Sequence, residues 1–292
     1  VISSFGSRLA AEFAASRHLC AGIDPHAPLL DDWGLADDAA GAERMGREVV
    51  AASVGVAACV KPQVAFFERF GSAGFVALER VLADARAARL LVVADVKRGD
   101  IGSSFAAYAD AWLAPGSPLE ADAMTVTAYQ GFGTLDGAFG YVREHGKGLF
   151  VLAATSNPEA RDVQRAVRAD SQSVAAAMVA DAEAFNRQVY SGEVVGSIGV
   201  VLGATLNLAE FGIDTGERQA EARASNPALP VLAPGFGHQG ARIEDAGEIF
   251  GALGGALLAN ESRSILSGGA SGLAARIRAR AEAIGAALAQ SD

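Results

Sequence analysis

The sequence predicts an α/β protein of one domain, residues 1–292, folded as a (β/α)8 TIM barrel. Two observations point there. Eight short apolar runs alternate with segments long enough for helices, and eight such alternations over this length form one closed barrel more readily than an open sheet. A doubly wound sheet would also want a glycine fingerprint after its first strand, where Asp24-Pro25-His26 stands instead.

The predicted strands span 18–24, 58–63, 90–97, 123–128, 148–155, 197–204, 230–236 and 256–261. Each has the length and apolar content of a buried strand. Ahead of the first, Phe5, Leu9 and Phe13 recur at a spacing of four, as on an amphipathic helix. Segments 72–88, 102–113 and 174–189 are rich in Ala, Leu, Val and Arg, which suits helix. After the last strand, Leu273, Ile277, Ile284 and Leu288 line one helical face. No linker or repeat divides the chain, so the polar stretches 156–173 and 206–228 read as excursions from a single scaffold.

Composition narrows the function. The chain is 51% hydrophobic, yet no stretch reaches 18 uninterrupted apolar residues and the longest candidate, Val49 to Val60, ends at Lys61. No membrane span is expected. The N-terminal residues show no basic region followed by an apolar one, so the expected location is cytoplasmic. A formal net charge of -10 argues against nucleic acid as a partner but leaves room for a small anion that meets local cations. Cys20 and Cys59, each inside an apolar run, read as small buried hydrophobes in a reducing compartment. His18, His26, His145 and His238 have no zinc-ligand spacing, and no metal site is expected.

The chemistry gathers at the ends of the strands, where a barrel builds its active site. Strand three runs Leu90-Leu91-Val92-Val93 into Ala94-Asp95-Val96-Lys97-Arg98-Gly99-Asp100-Ile101-Gly102. Asp95 and Lys97, two apart, point to the same side of a strand. Buried charges there cost stability unless they pair. Strand one ends in Asp24, strand two in Lys61-Pro62-Gln63, strand five in Thr155-Ser156-Asn157, strand seven in the glycine-rich run 235–240, and strand eight leads to Arg263. Six ends converge on one mouth.

With these pieces in place, the chain resembles the orotidine 5′-phosphate decarboxylase family, closest to its longer bacterial subtype, over nearly its whole length. The resemblance is carried by Leu19-Cys20-Ala21-Gly22-Ile23-Asp24-Pro25, Val60-Lys61-Pro62-Gln63, the segment from Asp95 to Gly102, Thr155-Ser156-Asn157-Pro158 and the run 235–240. It implies removal of carbon dioxide from C6 of a pyrimidine nucleotide with no cofactor and no metal. The resulting carbanion must then be stabilised by preorganised charge. By resemblance Lys97 sits beside C6 and protonates it, Asp95 lies beside the substrate's own carboxylate and acts by electrostatic stress on it or, the firmer mechanism, by holding Lys97, Lys61 completes the charge network and contacts the ribose, and Asp100 crosses a homodimer interface into the neighbouring site. Asp24 would bind a ribose hydroxyl, Ser156 the polar edge of the base, Gln239 would bridge base and phosphate from a loop, and Arg263 would hold the phosphate. Ile101 and Ser104 complete the implied substrate contacts. Ser104 stands where the family commonly has threonine, which keeps the hydroxyl and loses a methyl.

Two other readings compete. A sugar-phosphate decarboxylase or epimerase would favour a metal-binding carboxylate on strand two, where Lys61 stands. A nucleotide sensor on a decayed barrel should have lost the charged array, yet Lys61, Asp95, Lys97 and Asp100 are all present.

Overall fold

Every predicted apolar run becomes a strand in the computed structural model, which describes residues 2–216 and 226–289. These are β1 (Leu19–Ile23), β2 (Cys59–Pro62), β3 (Leu91–Arg98), β4 (Ala123–Val126), β5 (Gly148–Ala154), β6 (Ile198–Leu202), β7 (Val231–Pro234) and β8 (Leu257–Glu261). All pair in parallel in sequence order, and β1 closes on β8 with Leu19 opposite Ala259. The fold is the predicted (β/α)8 barrel.

Period-two alternation divides the strand residues between two cores. Cys20, Cys59, Leu91, Val93, Ala123, Phe150, Val201, Leu232 and Leu258 form the inner cluster with Phe5 and Leu9. Their neighbours, among them Ala21, Val60, Val92, Met124, Val151 and Val200, pack outward against the helices. The helix Phe5–Ala14, capped by Ser4, supplies the floor: Phe5 meets Phe150 edge-on with centroids 5.9 Å apart. Gly199 makes room for Phe150, because a Cβ there would stand 2.7 Å from the ring.

The outer layer follows the helical patterns of the sequence. Helix Gly71–Ala87 buries Ala77, Leu78, Val81, Leu82 and Ala85, while Leu273–Leu288 buries Leu273, Ile277, Ile284 and Leu288. Helix Val174–Val189 is capped by Ser173 and fixed to β6 by Asn186, whose amide group both donates to Ile198 O and accepts from Ile198 N. That buried asparagine satisfies the backbone of Ile198 on its β7 side, where pairing begins only at Val200 opposite Val231.

Strand ends differ from expectation at the mouth. The runs 123–128 and 197–204 stop as strands at Val126 and Leu202. Beyond them the barrel is held by single bonds, Thr127 N to Arg98 O and Gly203 N to Ala154 O, and not by a continued ladder. Of the two excursions, 156–173 contains the short helix Ala160–Gln164, and 206–228 contains the 3-10 turn Leu208–Phe211. Residues 217–225 of the latter lie outside the described residues. Among the described residues no helix is long and apolar enough to cross a membrane.

Candidate active site

The inward series on each strand changes character toward the C-terminal end. Cys59 is followed two residues later by Lys61, Val93 by Asp95, and Ala123 by Thr125. Lys61, Asp95 and Thr125 are all buried. An apolar interior thus ends in a polar layer beneath the mouth.

Asp95 is the centre of that layer. Its Oδ2 accepts from Lys61 Nζ at 2.7 Å and Gln63 Nε2 at 3.1 Å, while its Oδ1 accepts from the Lys97 ammonium and from the Thr125 hydroxyl at 2.9 Å. A carboxylate offers about four lone-pair sites, so the four donors saturate it. Burial pushes the Asp95 carboxyl upward, but Lys61 and Lys97 outweigh it and hold the group well below the usual carboxylate range. Burial likewise opposes the charge on Lys61, and Asp95 and then Asp24 overcome it, raising Lys61 above the ordinary lysine value. Both groups are fixed in their charged forms at neutral pH.

The two lysines of this network face different surroundings. The Lys61 side chain is 6% exposed and that of Lys97 45%. One ammonium is sealed below the carboxylate, and the other stands at the mouth. Sequence alternation placed Asp95 and Lys97 on one side of a regular strand. They do meet, but β3 is irregular: the register against β4 slips between Ala94 and Arg98, and Lys97 has a left-handed φ of 48°.

Other expected residues follow the C-terminal ends of their strands. Asp24 follows β1 with a buried Oδ1 that has no hydrogen-bond partner among the described residues. Arg263 starts the short helix Arg263–Leu266 after β8 and is exposed, and its guanidinium makes no hydrogen bond or ion pair among the described residues. Beside it lies the 3-10 turn Gly237–Gln239, where a Cβ on Gly237 would come within 3.2 Å of Ser264. Glycine lets the two loops approach this closely. Buried Glu261 ties this corner to the outer layer through Ser264 and Arg280. Gln239 is exposed on the same turn. After β5, Thr155 and Asn157 bond to each other and Thr155 to Gln164, whereas exposed Ser156 between them has no such bond.

Asp100 is not brought to Lys97. Within this chain its carboxylate accepts from Ile101 N at 2.8 Å, and Ile101 and Ser104 lie exposed at the start of helix Gly102–Leu113. Sequence reasoning missed Gln63 and Thr125 as members of the network. Thr125 had a signal: a hydroxyl in an apolar strand, one strand over from Asp95. Cys20 and Cys59 are free, buried and opposite each other on β1 and β2. No group of His, Cys, Asp or Glu that could hold a metal ion occurs among the described residues.

Fold and site together define a (β/α)8-barrel enzyme with its charged groups at the C-terminal ends of the strands. The chain belongs to the orotidine 5′-phosphate decarboxylase / HUMPS family, whose model matches residues 17–276. The orotidine 5′-phosphate decarboxylase of a Nocardioides species is 50% identical over 90% of this chain and 91% of its own. That of Streptomyces coelicolor is 48% identical over 91% and 90%. A crystal structure from Streptomyces avermitilis, assigned the same activity, superposes with a TM-score of 0.89 at 48% identity, covering 99% of this chain and 97% of its own.

Proposed function

We propose that this enzyme decarboxylates orotidine 5′-phosphate to uridine 5′-phosphate in pyrimidine synthesis, with Lys97 as the proton donor at C6. Family membership and half-identity to decarboxylases over nine-tenths of both chains make it a carboxy-lyase of this kind. One observation carries the mechanism: a saturated, buried carboxylate, Asp95, holds an ammonium that still reaches the mouth.

The C6 to carboxylate bond breaks and carbon dioxide leaves, with the electron pair remaining on C6. The Lys97 ammonium stabilises that pair and then donates a proton to it, and the neutral amine regains its proton from solvent. Asp95 has no free acceptor site, which favours its reading as the holder of Lys97. Enzymes lower barriers by roughly 8–23 kcal/mol, more than one lysine supplies. Contacts to ribose and phosphate, from Asp24 and Lys61 on one side and Gln239 and Arg263 on the other, therefore organise the site, with Ser156, Ile101 and Ser104 against the base. No cofactor enters this scheme. The purified protein is expected to turn over orotidine 5′-phosphate, followed by absorbance, undiminished in EDTA. Loss of activity on chelation and its return with a divalent ion would overturn the reading.

The same reading makes the working unit a cytoplasmic homodimer. The free cysteines suit a reducing compartment. Ile101, Tyr108 and Tyr129, on segments that follow β3 and β4, are apolar and exposed, Tyr129 at 81%, and a second copy there would bring Asp100 to its neighbour's Lys97. Lys97→Ala and Asp100→Ala dimers are each expected to be poorly active. Mixing them should restore about a quarter of all sites, since half the dimers are mixed and each regains one complete site. Verified subunit exchange without recovered activity would contradict the shared site.

A further inference from the structure

We propose that Thr125 is a positioning residue that sets the aim of Lys97, an inference that builds on the decarboxylase reading. A threonine hydroxyl has one proton to give and lone pairs to accept with. The proton goes to Asp95 Oδ1 at 2.9 Å, and the oxygen accepts from the Lys97 backbone N at 2.9 Å. One side chain thereby grips both the carboxylate that holds the ammonium and the backbone from which that ammonium extends.

The irregularity of β3 explains why a side chain is needed there. Between Ala94 and Arg98 the β3 to β4 ladder slips, and pairing resumes only at Arg98 opposite Val126. The Lys97 amide therefore bonds to the Thr125 side chain. Lys97 also sits at a φ of 48°, a region that residues with a Cβ avoid and that persists only where the surroundings over-determine it. Thr125 is 1% exposed in a strand whose other members, Ala123, Met124 and Val126, are apolar. Valine would fill the same volume, but it would leave the Lys97 amide and one Asp95 lone pair without partners. With both bonds lost, the backbone at Lys97 is free to relax toward ordinary strand values and carry the ammonium away from C6.

Thr125 is expected to act on the chemical step and not on binding, because its bonds go to Asp95 and Lys97 and not to the open mouth. Displacing a reacting group by about 1 Å costs roughly 100-fold. The test compares the full-length protein with Thr125→Val, Thr125→Ala and Thr125→Ser in steady-state turnover of orotidine 5′-phosphate, with uridine 5′-phosphate affinity and circular dichroism as controls. The Val and Ala variants should lose roughly 100-fold in kcat while binding uridine 5′-phosphate as the parent does. The Ser variant, which keeps both bonds, should retain most of its activity. If Val fails to fold, the Ala and Ser pair still isolates the hydroxyl. Parent-like kcat in the Ala variant, or equal losses in Ala and Ser, would overturn the proposal. Hydrogen exchange at the Lys97 amide reads the clamp without turnover: protected in the parent and the Ser variant, fast in the Ala variant. An unprotected amide in the parent would overturn the clamp, whereas protection in a protein that does not turn over orotidine 5′-phosphate would overturn the decarboxylase reading alone.

Discussion

Two buried lysines, one at each end of the barrel, make opposite use of the same interaction. Lys147 precedes β5 at the closed end; its side chain is 7% exposed, and its ammonium bonds to Glu120 and, at 2.9 Å, to Ala121 O. Glu120 in turn accepts from Gly116 N, so the network stops at backbone and surface. Lys61, equally buried at 6%, bonds to a carboxylate that continues the network to Lys97 at the mouth. A buried ion pair is thus no sign of a site by itself. The site is where the buried pair holds a further charge exposed.

That contrast can be broken at both ends. Lys97→Ala should lower turnover by about 10⁴-fold or more, since it removes both the charge beside C6 and the proton donor, yet uridine 5′-phosphate should still bind. Near-normal turnover would remove Lys97 from this role. Arg263→Ala should lower kcat/KM for the phosphorylated substrate by about 100-fold or more, the worth of a charge-assisted grip used in the transition state. The nucleoside orotidine has nothing for the guanidinium to hold, so its kcat/KM should change little. Equal losses on both substrates would place Arg263 elsewhere.

The next difference is in stability. Asp95→Ala strands the buried Lys61 ammonium and should cost about 3–5 kcal/mol in urea unfolding. Lys147→Met leaves a carboxylate that is 22% exposed and can turn to water; a loss of about 1–3 kcal/mol with unchanged kcat is expected. A Lys147→Met variant with impaired kcat would erase the distinction between the two ends.

The smallest effect is in the pH dependence. The Asp95 carboxyl is held below its ordinary value in the folded protein, so its contribution is full above the unfolded carboxylate range and lost as pH falls through the folded value. Lys61 is raised, so its contribution is full below the ordinary lysine range and lost as pH rises through the folded value. The stability gap between the parent and Asp95→Asn should therefore be full around neutral pH and narrow below about pH 4. A gap already closing near neutrality would contradict the paired state.

The sequence made the barrel legible because strands buried on both sides are written as short apolar runs, and all eight are where those runs fall. It also marked Lys61, Asp95 and Lys97, since charges at the ends of such runs have few other uses. What it could not convey was contact between strands distant in the chain. Gln63 and Thr125 carry ordinary polar groups, and only the registers of β2, β3 and β4 bring them to Asp95. The slip in β3 and the left-handed Lys97 were equally hidden, because the local sequence Ala94-Asp95-Val96-Lys97 contains no glycine to announce them. Asp100 was marked by its motif, but its carboxylate turns to Ile101 N in the single chain.

Delivery of a proton to C6 through Lys97 can be tested without decarboxylation. The group that protonates C6 must also remove that proton in the reverse direction. Uridine 5′-phosphate incubated in D2O should exchange its C6 hydrogen for deuterium, read by proton NMR, with the parent and with Lys147→Met, and should not exchange with Lys97→Ala. Exchange by Lys97→Ala at the parental rate would contradict the account.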